Sequence, residues 1–213
     1  MILEVKDASK TIRGASILEN INLTLSAGHV YGLQGPNGSG KTMLLRLIAG
    51  LIYPSSGEIR VDGKILGKQL DFPESMGILI ENPAFLPNKT GVENLKLLAS
   101  IRNCADMGNI RDAITRVGLN PDDSRKYRKY SLGMKQRLGI AAAIYEAPEL
   151  ILLDEPTNGL DEAGREQICG LLRKERERGA LIVLASHDSA ILETVSDEIY
   201  SISGGRIKEL KRQ

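Results

Sequence analysis

Apolar runs alternate with amphipathic stretches along most of this chain, which is the pattern of an α/β protein. Four short apolar runs predict buried strands, at residues 30–34, 77–80, 150–153 and 181–185. Amphipathic stretches predict helices after several of them, at residues 43–49, 162–178 and from 188 onward. Strands that alternate with helices imply a mostly parallel sheet covered on both faces.

The N-terminal part of the chain is richer in strand signals. Residues 17–25 alternate apolar and polar positions, as a half-buried strand does. Asp62-Gly63 separates two short apolar stretches and predicts a tight hairpin. The first six residues have the pattern of a strand at the edge of a sheet rather than of a secretion signal. We therefore expect N-terminal antiparallel strands beside the main sheet.

The middle of the chain changes from strand signals to helix signals. Thr90 and Glu93 form a capping-box pattern that opens a helix to about Asn103. Two further helices are predicted, one over about residues 107–117 and one that Ser131 caps. We expect a single domain over residues 1–213, with a core of residues 1–81 and 149–213 and an inserted helical subdomain at residues 82–148.

Composition and charge narrow the class of protein. Of the 213 residues, 42% are apolar and 4% are aromatic, so Leu, Ile and Val must fill the core. The formal net charge of +1 gives no overall attraction to nucleic acid. No apolar run reaches the ~18–20 residues that span a bilayer, so we expect a soluble, cytoplasmic protein. Cys104 and Cys169 match no metal-ligand spacing and are expected to be reduced, buried or half-buried thiols.

A phosphate-binding loop between the first buried strand and the helix after it carries the clearest chemistry. Its backbone N–H groups would point at one spot and favour an anion there. Lys41 would add a positive charge for the β- and γ-phosphates, and the Thr42 hydroxyl would ligate Mg²⁺. The alternative is a glycine-rich turn without function, which the strand–loop–helix context disfavours. The matching residues are Gly35, Pro36, Asn37, Gly38, Ser39, Gly40, Lys41 and Thr42.

Two acidic residues follow the predicted strand at residues 150–153. The carboxyl end of that strand should lie beside the phosphate loop, which would bring Asp154 and Glu155 to the phosphates. Asp154 would hold Mg²⁺, directly or through water. Glu155 could polarise a water toward the γ-phosphate as a general base. Acids often end apolar strands, and it is the upstream phosphate loop that favours a functional role here.

Three further segments, in this order along the chain, carry a family resemblance: residues 130–137 (YSLGMKQR), 158–161 (NGLD) and 186–188 (SHD). With the phosphate loop and the two acids, they make the chain resemble the nucleotide-binding subunit of an ATP-binding cassette (ABC) transporter over essentially its whole length. The resemblance places Ser131 and Gly133 in the signature that touches phosphate. It places Asp161 in the D-loop and His187 at the switch position that contacts the γ-phosphate.

The resemblance implies a mechanism and partners. Two copies, as a homodimer or a heterodimer, are expected to sandwich two ATP molecules head to tail. Each ATP would lie between the phosphate loop of one copy and residues 131–133 of the other. ATP and Mg²⁺ are the implied cofactors, and no nucleic-acid partner is expected. A separately encoded transmembrane permease subunit is also implied, with this chain peripheral on the cytoplasmic face of the cell membrane.

Two positions depart from the family pattern. The family usually has Gln after the strand that ends at Ile80, whereas this chain has Glu81. We expect the Glu81 carboxylate to ligate Mg²⁺ and to affect catalysis; a solvent-facing acid is the alternative. Ile12 takes the position of the adenine-stacking aromatic residue and would pack on the base without ring stacking. Glu81 and the SLGMKQR segment resemble the subgroup that exports bacitracin or protects against lantibiotics.

The leading hypothesis is an ATP-hydrolysing subunit that powers a membrane transporter, an exporter of a peptide antibiotic or similar cargo. The alternative is a soluble ABC-type ATPase that acts on DNA or ribosomes. Members of the family that act in DNA repair carry long coiled coils, and members that act as translation factors usually carry two cassettes. This sequence has neither feature. An unrelated P-loop kinase or GTPase would leave residues 130–137 and 158–161 unexplained.

Overall fold

The structure is a computed structural model that describes residues 1–101 and 106–212. The strands in this part of the chain are β1 (Ile2–Ile12), β2 (Ala15–Ser26), β3 (Val30–Gln34), β4 (Ser56–Val61), β5 (Lys64–Ile65), β6 (Met76–Leu79), β7 (Leu150–Asp154), β8 (Leu181–Ser186), β9 (Glu198–Ser203) and β10 (Arg206–Arg212). The helices are α1 (Lys41–Ile48), α2 (Gly91–Ile101), α3 (Met107–Arg116), α4 (Leu132–Ile144), α5 (Glu162–Glu177) and α6 (Ser189–Val195), with a 3₁₀ turn at Tyr127–Lys129. None of the described helices has the length and apolar character needed to cross a membrane.

The larger sheet has the predicted parallel architecture. Its strand order is β10-β9-β3-β8-β7-β6, and only the β9–β10 pair is antiparallel. β7 and β8 are buried along their whole length. Ile151 packs into one hydrophobic cluster and Leu152 into another, because alternate side chains point to opposite faces of the sheet. Both faces are therefore covered.

The N-terminal strands form a second, antiparallel sheet with the order β2-β1-β4-β5. The prediction of an edge strand at the N-terminus is wrong, because β1 lies between two partners. Leu3 pairs with Leu25 on one side and with Val61 on the other. The hairpin prediction is confirmed: Asp62 and Gly63, both with positive φ angles of 48° and 80°, join β4 to β5.

Helices α2, α3 and α4 lie between β6 and β7 along the chain. The capping box is confirmed, since Thr90 N donates to Glu93 Oε2 at 2.6 Å and Glu93 N donates to Thr90 Oγ1 at 3.2 Å. The expected helix end at Asn103 and the expected thiol at Cys104 lie outside the described residues. Cys169 is a buried free thiol, as expected, and burial raises its pKa. The division into a core and an inserted subdomain stays a prediction.

The register of the parallel strands brings the ends of β3, β7 and β8 to one edge of the sheet. Gln34 pairs with Ser186, and Asp154 pairs with Ala185. The phosphate loop, Glu155 and His187 each follow directly after one of these strands. The fold therefore gathers three of the predicted site segments at one edge.

A buried carboxylate connects α3 and α5 to the segment that enters β7. Glu175 on α5 is 1% exposed and forms ion pairs with Arg116 at the end of α3 and with Arg178. Arg178 also donates to the Pro148 carbonyl oxygen at 2.6 Å. Because an unpaired buried charge is costly, the two arginines offset the cost of burying the Glu175 carboxylate.

Glu175→Ala is expected to lower the free energy of unfolding by about 2–3 kcal/mol. Removing one partner of a fully buried pair costs ~3–5 kcal/mol, and the cost is smaller here because water can reach both arginines. Arg116 and Arg178 are 29% and 35% exposed. Urea denaturation measures the change, with the exposed neighbour Glu177→Ala as the matched control. Equal losses for the two variants would contradict this role for Glu175.

Candidate active site

Residues 35–40 connect β3 to α1 as a tight loop. Gly40 directly precedes α1 and has a φ of 110°, in the left-handed region that favours glycine. A Cβ atom at Gly40 would lie 2.7 Å from the Leu18 side chain, so a larger residue would displace its neighbour. The first turn of α1 contains no acidic side chain and receives no side-chain cap. Its N–H groups are therefore available to an anion.

Two polar side chains of the loop fit a bound phosphate chain. Lys41 is 5% exposed, and its Nζ donates to the carbonyl oxygens of Gly35 at 2.5 Å and Pro36 at 3.2 Å. Ser39 Oγ is buried and has no hydrogen-bond partner among the described residues. A buried hydroxyl without a partner is uncommon in folded proteins, and a ligand oxygen would satisfy it.

Thr42 and Asp154 place two oxygen donors beside this loop. Thr42 Oγ1 donates to Asp154 Oδ2 at 2.6 Å, and Asp154 is only 7% exposed. Burial raises the pKa of Asp154; the Thr42 hydrogen bond opposes this, and the charges of Glu155 and Glu81 add to it. In the described part of the chain, no group of three His, Cys, Asp or Glu side chains could hold a metal. The pair suits Mg²⁺, which usually takes one or two protein oxygens and completes its shell with phosphate and water.

Glu155 is fixed by the residues that follow β8. Its carboxylate accepts hydrogen bonds from Ser186 Oγ at 3.1 Å and from His187 N at 2.9 Å. The His187 ring contributes a third contact, Nδ1 to Glu155 Oε1, at 2.9 Å. The Glu155 side chain is 19% exposed and that of His187 is 56% exposed, so both can meet a ligand from the solvent side. The backbone of Glu155 has a positive φ of 47°, which is uncommon for a residue other than glycine.

Three residues near these groups had no role assigned from the sequence. Gln136 is buried on α4, and its Nε2 donates to the Glu155 carbonyl oxygen at 3.0 Å. Ser186 holds the Glu155 carboxylate. Ile17 lines a cleft of ≈ 350 Å³ over the phosphate loop. Gln136 and Ser186 lie inside segments that carry the family resemblance, whereas nothing in the local sequence distinguishes Ile17.

Glu81 and Ile12 lie outside the immediate contacts of this cleft. Within the described ranges, the hydrogen bond of the Glu81 carboxylate goes to Arg46 Nη2, and the Glu81 side chain is 63% exposed. Its charge nevertheless adds to the raised pKa of Asp154. Ile12 is the last residue of β1 and is 39% exposed, and the described lining of the cleft includes Ile17 instead.

Ser131, Gly133 and Asp161 meet at a second cleft, of ≈ 440 Å³. Ser131 caps α4 by accepting from Met134 N at 3.2 Å, and Asp161 caps α5 by accepting from Gly164 N at 3.0 Å. The described linings of the two clefts have no residue in common. The fold thus brings the predicted signature and D-loop residues together, but at a place separate from the phosphate loop.

Comparison with known proteins agrees with this geometry. Residues 18–158 match the family described as ABC transporter. YybJ, an uncharacterised ABC transporter ATP-binding protein of Bacillus subtilis (strain 168), is 44% identical over 207 residues, which is 97% of this chain and 95% of YybJ. BcrA, a bacitracin transport ATP-binding protein of Enterococcus faecalis, is 38% identical over 210 residues, which is 98% of this chain and 68% of BcrA.

The fold has close counterparts among solved structures. One, described as the ATP binding subunit of an ABC transporter, matches with a TM-score of 0.88 at 28% identity. The match covers 100% of this chain and 90% of that one. The predicted fold class, an α/β cassette with parallel and antiparallel sheets, is confirmed.

Asp154→Asn is expected to raise the melting temperature of the metal-free and nucleotide-free protein near neutral pH, by about 2–4 °C. Because burial raises the pKa of Asp154 above 3.8, the folded state binds that proton more tightly than the unfolded state does. Ionisation therefore destabilises the fold, and stability is lost as pH rises from the unfolded pKa through the folded pKa.

The melting difference between Asp154→Asn and the native protein should consequently shrink as pH falls through that interval. Thermal unfolding in EDTA at a series of pH values measures this, with the exposed Asp71→Asn as the control. A difference that stays constant with pH would refute the explanation.

Proposed function

The chain belongs to the family of ABC transporter ATP-binding proteins, and from this premise we propose which residues perform ATP hydrolysis and which surface receives a membrane subunit. The protein is an ATPase subunit that powers a membrane transporter. The observation that carries the proposal is the phosphate-loop cleft, which is lined by Ser39, whose hydroxyl has no partner among the described residues, by the buried Lys41 and by the Thr42–Asp154 oxygen pair. A soluble role on DNA or ribosomes is not favoured.

The phosphate loop would hold the triphosphate of ATP through its backbone N–H groups. Lys41 would exchange its present carbonyl partners, Gly35 and Pro36, for phosphate oxygens, which carry more negative charge. Thr42 and Asp154 would hold Mg²⁺, and a bound Mg²⁺ would neutralise part of the phosphate charge. Glu81 would join them only after leaving Arg46. Ile17, in the cleft wall, is a better placed contact for the base than Ile12.

Glu155 would accept a proton from the attacking water, since its carboxylate lies at the cleft edge and is held by three hydrogen bonds. His187 would help to orient that carboxylate and present its other ring nitrogen to the γ-phosphate. Gln136 fixes the backbone of Glu155 from behind. These contacts restrict the base to one geometry, which is how positioning contributes to hydrolysis.

The second cleft supports a two-copy mechanism. Ser131 and Gly133 begin α4, and a helix N-terminus attracts phosphate. They lie apart from the phosphate loop of their own copy, so a second copy, identical or related, would have to bring its α4 over the bound ATP. Asp161, beside them, would follow at the same interface. Each ATP would then be enclosed only when two copies meet.

A groove of ≈ 600 Å³ beside β6 is the surface where a separately encoded permease would dock. Its wall includes Phe85 from the loop after Glu81, together with Ile78, Leu98 and Ile101. Ile78, Leu98 and Ile101 are all exposed, and a contiguous exposed apolar surface is typical of a protein–protein contact. Docking there would hold the protein on the cytoplasmic face of the membrane. The proposed cargo is a peptide antibiotic that the transporter exports, because BcrA is named as a bacitracin transport ATP-binding protein.

Glu155→Gln is expected to bind ATP normally, to lose nearly all hydrolysis and to accumulate as an ATP-bound dimer. The amide keeps the shape of the side chain but cannot accept a proton from water. Size-exclusion chromatography with Mg²⁺-ATP and a phosphate-release assay measure both effects. The exposed Glu166→Gln serves as the control and should behave as the native protein. A Glu155→Gln variant that remains monomeric with ATP would count against the shared site.

Lys41→Ala is expected to weaken ATP binding by about 10- to 100-fold, the loss typical of a hydrogen bond to a charged group. Equilibrium binding of a fluorescent ATP analogue measures the loss. The exposed Lys68→Ala, which removes the same charge elsewhere on the surface, is the matched control. Similar affinities for the two variants would show that Lys41 does not hold phosphate.

A further inference from the structure

Glu81 lies between two sites that can use its carboxylate. In the structure it pairs with Arg46, which stands in the last turn of α1. It also follows directly after Ile80, just past the end of β6, and the neighbouring parallel strand β7 ends at Asp154. The Glu81 side chain is 63% exposed, so it has room to change partner. One carboxylate is therefore within electrostatic reach of both a guanidinium and the oxygen pair of the cleft.

The charges around the cleft explain why a counter-ion is needed. Asp154, Glu155 and Lys41 line the cleft, and Glu81 follows the strand that pairs with β7, so three carboxylates lie at the same edge of the sheet. A triphosphate would add further negative charge. Like charges in a partly buried region repel strongly, and a nearby cation relieves this repulsion. Arg46 is placed to relieve it by holding Glu81 at the rim.

We propose that Arg46 is a positioning residue that holds the Glu81 carboxylate away from the nucleotide-bound metal and thereby sets the metal affinity of the site. The inference rests on the proposed ATPase function and extends it to Arg46. Helix α1 carries Thr42 in its first turn and Arg46 in its last. Thr42, which would hold the metal, and Arg46, which competes with the metal for Glu81, are therefore positioned by the same helix.

The backbone conformation of Glu81 is consistent with two positions of its side chain, one at Arg46 and one at the Thr42–Asp154 pair. Its φ of 63° lies in the left-handed region, which is uncommon for residues other than glycine. The chain therefore turns sharply as it leaves β6, and the Glu81 side chain starts from the edge where β7 presents Asp154. From there it can point outward to Arg46, as in this structure, or inward to the oxygen pair.

A double-mutant cycle tests the proposal with a readout other than turnover. The affinity of Mn²⁺, which prefers the same oxygen ligands as Mg²⁺, is measured by electron paramagnetic resonance in the presence of a non-hydrolysable ATP analogue. Four proteins are compared: the native chain, Arg46→Gln, Glu81→Gln and the double variant. Arg46→Gln is expected to tighten Mn²⁺ binding by about two- to fivefold, the range that losing an exposed ion pair provides.

The tightening should require Glu81. In the Glu81→Gln background, Arg46→Gln should change Mn²⁺ affinity less than it does in the native background, and Arg46→Lys, which keeps an ion pair, should retain the native affinity. Equal tightening in both backgrounds would reveal only a general charge effect, and no tightening in the native background would show that Arg46 does not restrain Glu81; either result overturns the proposal.

Two controls keep the result interpretable. Arg46→Met provides a second neutral variant, and thermal melting establishes that each protein is folded. Binding of the ATP analogue is measured for all variants before Mn²⁺ is added. A native protein that does not bind the analogue would refute the ATPase function itself, which is a different failure from an unchanged Mn²⁺ affinity.

Discussion

Almost everything in this molecule depends on one constraint, the parallel alignment of β3, β7 and β8. Hydrogen bonding in register forces their carboxyl ends to the same edge, so the loops that leave them must share one small volume. The phosphate loop, Glu155 and His187 are therefore brought together by the pairing of these strands. The buried side chains of these strands hold the register, since a slip by one residue would move every side chain to the opposite face.

The features of the fold that could be predicted from the sequence are those that depend on a few adjacent residues. The phosphate loop, the capping box at Thr90 and Glu93, and the Asp62-Gly63 hairpin each need only a few adjacent residues, and each could be located without the structure. The position of β1 could not, because β1 becomes an inner strand through partners more than fifty residues away, such as Val61. Local patterns record which face of a strand is buried but not which strands flank it.

The same distinction between local patterns and tertiary contacts explains which site residues could be predicted. The motifs were located, but not the roles of Gln136 and Ser186 within them, and residues that come from other elements were not identified. Ile17 arrives from the antiparallel sheet and Arg46 from the far end of α1. Ile12 stays a prediction for the base contact, and the described lining of the cleft includes Ile17, five positions later. Which side chain reaches a cleft depends on where the strand crosses it, and that crossing is a property of the tertiary fold.

The groove wall that contains both Arg46 and Glu81 has a thermodynamic consequence. Whatever occupies the groove would touch the Arg46–Glu81 ion pair that we propose sets the metal affinity, so the groove ligand and the metal would share one equilibrium. Coupling between binding sites is reciprocal. If a membrane subunit alters the affinity for the metal by some factor, the metal must alter the affinity for that subunit by the same factor. An exposed ion pair worth only ~0.2–1 kcal/mol would make that exchange weak enough to reverse in every cycle of transport.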